Sequence, residues 1–296
     1  MEIINRIPRM RSVTQKIRRD GRKIGFVPTM GALHEGHLSL IRRARAMSDI
    51  VVVSIFVNPI QFGRGEDFDA YPRDLARDAE LVSTRGVDYL FAPNIDEVYP
   101  EDFSTYVIVE DLGDKLCGLS RPGHFRGVST IVLKLFNIVR PQFSFFGQKD
   151  AQQAAILKRM VRDLCVDTEV VICPIVREPD RLAMSSRNAY LNAEERKAAL
   201  VLSQALQQAK KLYQDGEKDT AKIISEMRQI IENEPFARID YVSIVDNESL
   251  ESIDTIDEKK TVLIALAVFI NRVRLIDNIT LNTPAQDEDD EPSSFF

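Results

Sequence analysis

Two of the three histidines in this sequence, His34 and His37, stand three residues apart in a short segment that also contains two glycines. The segment (PTMGALHEGH, residues 28–37) follows an apolar stretch, Lys23–Pro28, that predicts a short buried strand. Apolar residues at helical spacing from Gly36 to Ala46 predict that a helix begins directly behind it. We therefore expect the histidine pair at a strand-to-helix turn.

Such a turn is a suitable place to bind phosphate. In an open α/β sheet, ligands collect at the carboxyl ends of the strands, where loops lead into helix N-termini with partial positive charge and unpaired N–H groups. Gly31 and Gly36 allow the backbone to turn sharply or to approach a ligand closely. Imidazoles at this position could donate hydrogen bonds to a phosphate whose charge builds up in a transition state.

Three interpretations of the histidine pair remain open when its spacing is considered alone. A histidine that caps a helix or lies in the core is the ordinary case, and a phosphate-binding pair is the second. A metal site, the third, needs further ligands, and the sequence has no second histidine pair to supply them. The three cysteines, Cys117, Cys165 and Cys173, are far apart and form no CxxC pair, which favours buried reduced thiols.

The first half of the chain alternates between strand-like and helix-like segments. Ile50–Val57 is a continuous run of mostly β-branched residues, which is typical of a strand covered on both faces in a parallel sheet. Further strands are predicted at Asp88–Pro93 and Gln142–Phe146, and helices at Val128–Val139 and Gln152–Leu164. This alternation predicts right-handed βαβ units and an α/β fold with a Rossmann-like, doubly wound parallel sheet.

The order of elements changes near Val176. Two helices are predicted beyond it, Ala193–Tyr213 and Ala221–Ile231, followed by strands at Ile239–Val245, Val262–Ile270 and Val273–Leu281. Helices followed by strands indicate a separate, smaller α+β domain at the C-terminus. We therefore predict a Rossmann-like domain at 1–175, an α+β domain at 176–283 and an acidic, disordered tail at 284–296.

The composition is typical of a globular protein, with 44% hydrophobic and 28% charged residues among 296. The formal net charge of -6 argues against a nucleic-acid partner, because proteins that bind nucleic acids usually carry a basic surface. The first residues lack the apolar core of a signal peptide, and the longest apolar run, Val262–Ile270, is too short to span a bilayer. We expect a cytoplasmic protein without a membrane partner.

Several strings in this sequence resemble the motifs of one enzyme family. HEGH at His34–His37 resembles the HIGH-type signature of the nucleotidyltransferase superfamily, and PTMGALHEGHLSLI closely resembles the first motif of the pantothenate synthetase (pantoate-β-alanine ligase) family. FVNPIQF (56–62), RPGHFRGV (121–128), FGQKDAQQ (146–153) and AMSSRN (183–188) match that family in its order. The resemblance extends to about Leu281, and several independent strings in one order argue strongly against chance.

The resemblance implies a two-step reaction that uses ATP. The carboxylate of pantoate attacks the α-phosphorus of ATP, which releases pyrophosphate and forms pantoyl adenylate. The amine of β-alanine then attacks the acyl carbon, which gives pantothenate and AMP. Polyphosphate chemistry implies Mg²⁺ as the ion that accompanies ATP, and the family implies a homodimer. We further predict that the 176–283 domain is a lid that brings the MSSR loop over ATP and excludes water.

The resemblance also implies roles for individual residues in ATP binding. We expect His34, His37, Lys149 and Arg187 to be catalytic, with His37 the better candidate for a proton donor. Asp150 is the candidate to bind a ribose hydroxyl or Mg²⁺, with no protein cage around the ion. The ATP-binding residues implied by the matching motifs are Met30, Gly31, Ala32, Leu33, His34, Glu35, Gly36, His37, Gly147, Gln148, Lys149, Asp150, Val176, Met184, Ser185, Ser186 and Arg187.

A second group of residues is expected to bind the organic substrates. Gln61 and Gln153 resemble the pantoate-binding pair of the family, and Asn58 precedes the first of them on the same loop. Amides suit this task because each offers a donor and an acceptor to a carboxylate and hydroxyls. In the family, segments like those around Arg121, His124 and Tyr71 neighbour the substrate side. For these three residues a structural role is an equal alternative.

Two rival functions follow from the same residues. A nucleotidyltransferase that acts on a phosphate ester would use the same HxGH motif, but it would call for basic residues in place of Gln61 and Gln153. A catalytically silent nucleotide-binding protein of the same fold is the other rival. The residues that argue against it are the intact His34, His37, Lys149 and Arg187. No GxxxxGK[ST] or GxGxxG string occurs, so a P-loop or a dinucleotide fingerprint is not supported.

Overall fold

The structure of the protein is a computed structural model that describes residues 1–283. The predicted acidic tail, 284–296, lies outside the described residues. The chain divides into two compact units: the first is Met1–Leu200, and the second is described from Val201 to Thr283. Across the described part of both units, no helix is long and apolar enough to cross a lipid bilayer.

The first unit contains a six-stranded parallel sheet. Its strands are β1 (Glu2–Ile4), β2 (Ile24–Thr29), β3 (Ile50–Ile55), β4 (Tyr89–Phe91), β5 (Phe143–Gly147) and β6 (Glu169–Cys173). They lie in the order β1-β4-β3-β2-β5-β6, and every neighbouring pair is parallel. The chain runs outward from β2 to β4 and then continues on the other side with β5 and β6, so that the switch point lies between β2 and β5. The predicted doubly wound sheet is confirmed, whereas β1 and β6 were not predicted.

Helices cover this sheet and connect its strands. They are α1 (Ile7–Arg19), α2 (Glu35–Met47), α3 (Leu75–Ser83), α4 (Ile95–Val98), α5 (Cys117–Ser120), α6 (His124–Val139), α7 (Ala151–Asp163) and α8 (Ala193–Ala199). Short 3-10 turns occur at Pro59–Gln61, Leu112–Asp114, Gln148–Asp150 and Ser186–Tyr190. The prediction of a single helix over Ala193–Tyr213 is wrong. The first helix ends at Ala199, the helical conformation is interrupted at Leu200, and a new helix begins at Val201.

The central strand β3 is buried on both faces, as its apolar run predicts. Val51, Val52 and Val53 point to alternate faces, and all three are fully buried. On one face, Ile41 and Ala44 of α2 join Val51 and Val53 in one core cluster. On the neighbouring strand β2, contacts come from α1 and α6 as well as α2. This packing fixes the carboxyl ends of β2 and β3, where the functional loops begin.

The second unit, described from residue 201 to residue 283, is a small α+β domain, as predicted. It consists of α9 (Val201–Gln214), α10 (Thr220–Glu232), β7 (Ala237–Asp246), β8 (Val262–Ile270) and β9 (Val273–Leu281). The strands form an antiparallel sheet in the order β7-β8-β9. The helix α9 contacts β8 and β9, and α10 contacts β7, so the central strand is buried along almost its whole length.

The division between the units lies at Leu200, later than the boundary expected at residue 175. The segment 176–200, which includes the MSSR loop, belongs to the first unit. A physical reason is visible in the ion pair that joins Arg187 of this segment to Asp67. The sequence boundary was inferred from a change in the type of elements, and such a change does not reveal which earlier residues a loop contacts.

Candidate active site

A pocket opens at the carboxyl ends of β2, β3, β5 and β6, the edge at which a doubly wound sheet binds ligands. All of its lining residues belong to the first unit. The expected site residues among them are Met30, His34, Gly36, His37, Asn58, Gln61, Tyr71, Arg121, His124, Gly147, Lys149, Asp150, Gln153, Val176, Met184, Ser185, Ser186 and Arg187. Gly31, Ala32, Leu33, Glu35 and Gln148 are not part of the lining.

The loop that follows β2 is held from behind by Asp78 of α3, a carboxylate that is only 1% exposed. Its two oxygens accept hydrogen bonds from the backbone N–H groups of Ala32 (2.8 Å) and Leu33 (2.9 Å). Gly31 and Ala32 have positive φ angles of 83° and 50°, so the chain turns sharply enough to present consecutive N–H groups to one anion. Asp78 thus fixes the backbone that leads into His34.

His34 and His37 form a reciprocal cap at the start of α2. Nδ1 of His34 accepts a hydrogen bond from the backbone N–H of Gly36 (3.2 Å), and Nδ1 of His37 accepts one from the backbone N–H of His34 (3.4 Å). Because each Nδ1 is an acceptor, each neutral ring carries its proton on Nε2. The capping and phosphate-binding interpretations of the pair are therefore compatible, since capping uses only one nitrogen of each ring.

Both imidazoles of this pair are neutral at pH 7. Burial, supported by the positive charge of Lys149, lowers the pKa of His34 from 6.5 to about 4. Burial, His34 and Lys149 together lower the pKa of His37 to about 3. A ring with so low a pKa is a hydrogen-bond donor through Nε2 and not a store of an acidic proton. In this state His37 can donate a hydrogen bond from Nε2, and the proton-donating role expected for it stays a prediction.

Lys149 and Asp150 lie in the 3-10 turn between β5 and α7. Nζ of Lys149 is 3.5 Å from Oδ1 of Asp150, and the two side chains are 20% and 47% exposed. Gly147 precedes the turn, and no atom lies within 4 Å of the position that a Cβ would take there. The turn therefore places one positive and one negative group at the pocket, next to open space beside Gly147.

The MSSR loop is anchored by the segment that precedes α3. Nε and Nη2 of Arg187 donate to the two carboxylate oxygens of Asp67 at 3.0 and 2.9 Å, and both side chains are about three-quarters buried. The hydroxyl groups of Tyr71 and Ser186 lie 3.2 Å apart. This bidentate ion pair raises the pKa of Arg187, which keeps the guanidinium charged despite its burial.

A second buried ion pair stands beside His124. Nε and Nη2 of Arg121 donate to the carboxylate of Glu66 at 2.7 and 2.6 Å. The ring of His124 bridges this pair and the loop after β3: Nε2 accepts from Nη1 of Arg121 (3.1 Å), and Nδ1 donates to the carbonyl oxygen of Gln61 (2.9 Å). Burial and the Arg121 charge lower the pKa of His124 to about 4. These contacts favour the structural alternative for His124.

Gln61 is oriented by a chain of hydrogen bonds through Asn58, which is 1% exposed. Nδ2 of Asn58 donates to Oε1 of Gln61 (2.9 Å) and to the carbonyl oxygen of Gly127 (3.2 Å). Its Oδ1 accepts from the hydroxyl of Tyr99 (2.7 Å). Nε2 of Gln61 donates to Sδ of Met30 (3.1 Å). Asn58 therefore holds Gln61, and its own amide is almost fully used inside the protein.

The two adjacent glutamines of α7 have different environments. Gln153 lines the pocket, as expected. Gln152 is 6% exposed, and its side chain accepts from the backbone N–H of Cys117 (3.0 Å) and donates to the carbonyl oxygen of Lys115 (2.7 Å). Since successive side chains on a helix point in different directions, only one of the pair can reach a ligand in the pocket.

Sequence reasoning did not identify Asp78, Glu66 or Asp67, although all three hold functional loops in place. Nothing in their spacing marks them, because each acts on residues that are distant along the chain. The one signal in the sequence that could have pointed to Glu66 and Asp67 was the positive charge of Arg121 and Arg187, because a buried guanidinium needs a carboxylate partner. Which carboxylate provides it depends on tertiary structure.

The structure offers limited protein ligands for a metal ion. In the part of the chain that the structure describes, no group of three or more His, Cys, Asp or Glu side chains could hold one. Asp150 is the one carboxylate among the described residues that line the pocket. An ion held mainly by phosphates and water fits this donor set, and Mg²⁺ is commonly bound in that way.

Cys117 and Cys173 are buried, whereas the expectation of a buried thiol is wrong for Cys165, which is exposed.

A doubly wound parallel sheet with an HxGH loop, a lysine turn and an MSSR loop around one pocket defines an α/β enzyme of the nucleotide-using class. The sequence matches the pantoate-β-alanine ligase family over residues 2–280. The chain therefore belongs to the pantoate-β-alanine ligase family.

Relatives and solved structures agree with this assignment. The chain is 57% identical over 281 residues to the pantothenate synthetase of Heliobacterium modesticaldum, covering 95% of this chain and 99% of the relative. The pantothenate synthetase of Caldicellulosiruptor bescii is 54% identical with the same coverage of both chains.

The structure of pantothenate synthetase from Thermus thermophilus superimposes with a TM-score of 0.89 at 44% identity, covering 94% of this chain and 99% of that one. The pantoate-β-alanine ligase of Francisella tularensis, solved as a complex with Beta-gamma ATP and β-alanine, gives a TM-score of 0.78 at 33% identity, covering 96% and 99%. Both neighbours therefore match this fold along nearly their whole length.

Proposed function

We propose that the pocket at the carboxyl edge of the parallel sheet is the active site of this ligase. The enzyme condenses pantoate with β-alanine, using ATP, through pantoyl adenylate. An oxygen of the pantoate carboxylate bonds to the α-phosphorus and pyrophosphate leaves; the β-alanine amine then bonds to the acyl carbon and AMP leaves with that oxygen. The observation that carries the proposal is the joint presence of His34, His37, Lys149 and Gln61 in one pocket.

In this proposal, His34 and His37 donate hydrogen bonds from Nε2 to the phosphates of ATP. The support is geometric, because both Nδ1 atoms accept backbone N–H groups and leave Nε2–H as the group available to a ligand. A neutral donor stabilises charge that develops on the phosphate oxygens without needing to be reprotonated after each turnover. The charge of Lys149 acts on the same phosphates.

Arg187 binds the phosphates while it stays paired with Asp67. A guanidinium has five N–H donors in a fixed plane, and Asp67 accepts only from Nε and Nη2. The donors on Nη1 are therefore available to an anion. Ser185 and Ser186, which line the pocket beside Arg187, add hydroxyl donors. The ion pair positions the arginine instead of blocking it.

Gln61 and Gln153 are the residues that we assign to pantoate. Both amides line the pocket, and Nε2 of Gln61 has a second N–H group besides the one directed at the weakly accepting sulfur of Met30. Amides suit a carboxylate substrate, and a phosphate ester would call for basic residues at these places. Membership in the ligase family also excludes the rival nucleotidyltransferase function.

We assign the binding of Mg²⁺, which would enter with ATP, to Asp150. The ion would offset phosphate charge during transfer to the α-phosphorus. The support is that Asp150 is the carboxylate of the pocket lining and is about half exposed. The homodimer, the cytoplasmic location and the lid role of the C-terminal domain stay predictions. Native mass spectrometry would test the first of these.

The direct test is pantoate-dependent exchange of pyrophosphate into ATP, followed by release of AMP when β-alanine is added. Replacing His34→Ala or His37→Ala should lower the exchange rate by about 10²–10³, the usual effect of removing a donor to developing charge. Arg42→Gln is the control, because Arg42 forms only an exposed ion pair with Glu35 on the same helix. Exchange that does not require pantoate, or histidine variants that match the control, would contradict the proposal.

A further inference from the structure

The turn that carries Gln61 lies directly against the first turn of α6, at Gly127. A Cβ on Gly127 would lie 2.6 Å from Cα of Gln61 and 2.7 Å from its backbone nitrogen, and would also collide with the carbonyl oxygen of Ile60. Such distances, all to backbone atoms, cannot be relieved by a side-chain rotation. The close approach of this turn to the helix therefore depends on the absence of a side chain at residue 127.

The same glycine determines the direction of the hydrogen bonds that reach Gln61. A backbone carbonyl can only accept, so the oxygen of Gly127 requires Nδ2 of Asn58 to face it. The hydroxyl of Tyr99 donates to the other side of the same amide, on Oδ1. These two bonds fix the orientation of the Asn58 amide, so its second N–H donates to Oε1 of Gln61. Nε2 of Gln61 is then the amide group that can donate to a ligand in the pocket.

We propose that Gly127 and Tyr99 are positioning residues for pantoate. Together they determine where the Gln61 side chain lies and which end of its amide, Nε2 or Oε1, faces the substrate. The inference rests on the proposed role of Gln61. Neither residue lines the pocket, so both act indirectly: Tyr99 acts through its bond to Asn58, and Gly127 acts through its bond to Asn58 and its close contact with the turn of Gln61. If the amide of Asn58 turned over, Oε1 of Gln61 would face the substrate, and an acceptor would oppose the oxygens of pantoate.

Tyr99 is held in a rigid aromatic setting that suits this task. Its ring lies 4.8 Å from the ring of Phe103 and 6.0 Å from that of Phe56, and Nζ of Lys134 stands 5.2 Å from its centroid. Burial raises the pKa of Tyr99 well above its usual value, so the hydroxyl keeps its proton and stays a donor. Removal of that one oxygen changes a hydrogen bond and leaves the packing intact.

The test measures KM for pantoate and KM for ATP separately in the exchange reaction. Tyr99→Phe should raise KM for pantoate about three- to tenfold, the effect of one hydrogen bond. Gly127→Ala should raise it more than about tenfold, since the whole turn must shift. KM for ATP should stay within about twofold in both variants, because the phosphate-binding loops are unchanged.

Two controls match these substitutions. Gly63→Ala adds a methyl whose nearest neighbour is the Glu66 side chain at 3.6 Å, an ordinary contact. Tyr106→Phe removes a hydroxyl from a tyrosine whose ring stacks on Arg126. Both should leave KM for pantoate within about twofold of the parent enzyme, as expected of surface substitutions. If Gly127→Ala does not fold, Tyr99→Phe decides the question alone.

A double-mutant cycle separates positioning from general damage. In a Gln61→Ala background, Tyr99→Phe should raise KM for pantoate no further, because the group that it positions is gone. If Gln61→Ala raises KM for pantoate but the positioning variants do not, or if they change KM for both substrates equally, the positioning inference is wrong and the proposed function stands. If Gln61→Ala itself has no effect, the assigned role of Gln61 fails, and this inference fails with it.

Discussion

The chemistry of each histidine depends on how its Nδ1 is hydrogen-bonded to the backbone, because that bond determines which ring nitrogen carries the proton. In His34 and His37, Nδ1 accepts from an N–H group of the loop, and the proton lies on Nε2. In His124 the assignment is reversed, because Nδ1 donates to a carbonyl oxygen. Three residues of one type thus have two different functions, and only the first two offer an N–H group from Nε2.

The lowered pKa values of these histidines predict how stability depends on pH. Each ring binds its proton more weakly in the folded than in the unfolded state, so the unfolded state takes up more protons between about pH 6.5 and pH 4. The free energy of unfolding should therefore fall as the pH falls through this range. Each histidine contributes a slope of at most about 1.4 kcal/mol per pH unit.

Urea denaturation of a His37→Asn variant at several pH values measures this contribution. The variant should show a smaller decrease of the free energy of unfolding with falling pH than the parent enzyme, by about 1 kcal/mol per pH unit. Arg42→Gln should retain the slope of the parent. An unchanged slope in His37→Asn would mean that His37 titrates in the folded state as it does in the unfolded one.

At the scale of elements, each functional loop is held by an element that is distant along the chain. The HxGH loop follows β2 but is anchored by Asp78 of α3, and the MSSR loop is anchored by Asp67, which precedes α3. The turn with Gln61 follows β3 but lies against α6. The sheet brings the loops to one edge, and these cross-contacts position the side chains, which matters because a misplacement of about 1 Å can cost about 10²-fold in rate.

Substitution of Asp78 should show how much the HxGH loop depends on α3. Asp78→Asn replaces one acceptor with a donor that faces a backbone N–H group, so one hydrogen bond is lost inside a buried site. The free energy of unfolding should decrease by about 1–3 kcal/mol, and the exchange rate should also fall. Both are measured on the purified variant, by urea denaturation and by pyrophosphate exchange.

Glu80 of the same helix is exposed and provides the matched control. Glu80→Gln should change the free energy of unfolding by less than about 0.5 kcal/mol. If Asp78→Asn behaved like this control, the carboxylate would not be what holds the loop.

At the scale of the whole molecule, the pocket belongs to one of the two compact units. Every residue that lines it precedes Leu200, and the MSSR loop, which was expected in the second domain, is part of the first unit. The second unit has a sheet and a helical layer of its own. Nucleotide binding should therefore be a property of the first unit.

A fragment of residues 1–200 tests this expectation. It should bind ATP with Mg²⁺ within about tenfold of the affinity of the full chain, as measured by isothermal titration calorimetry. The same fragment with Lys149→Ala should bind more weakly, since a charge beside the phosphates is lost. A fragment that is folded by circular dichroism but does not bind ATP would show that the second unit is required for the nucleotide site.

Much of the fold could be predicted from local patterns. The apolar run at Ile50–Val57 and the alternation of strands and helices around it predict a doubly wound sheet. A parallel strand that is covered on both faces is apolar at nearly every residue, so its sequence shows its burial. The strands β1 and β6 were not predicted, because they lie at the two edges of the sheet and most of their residues are only partly buried, so they lack a strongly apolar run. The break at Leu200 was also missed, because both sides of it have helical spacing.

The sequence by itself determined the chemistry of this enzyme: the residue types and order of the HxGH, FGQKDAQQ and MSSRN strings are local facts, and they identify its family. Only the tertiary structure decided which of these residues line the pocket, which nitrogen of each histidine is protonated, and that Asp78, Asp67 and Gly127 hold the loops. The physical reason is that hydrogen bonds and close contacts depend on distances in space. In this fold, those distances join residues that are far apart along the chain.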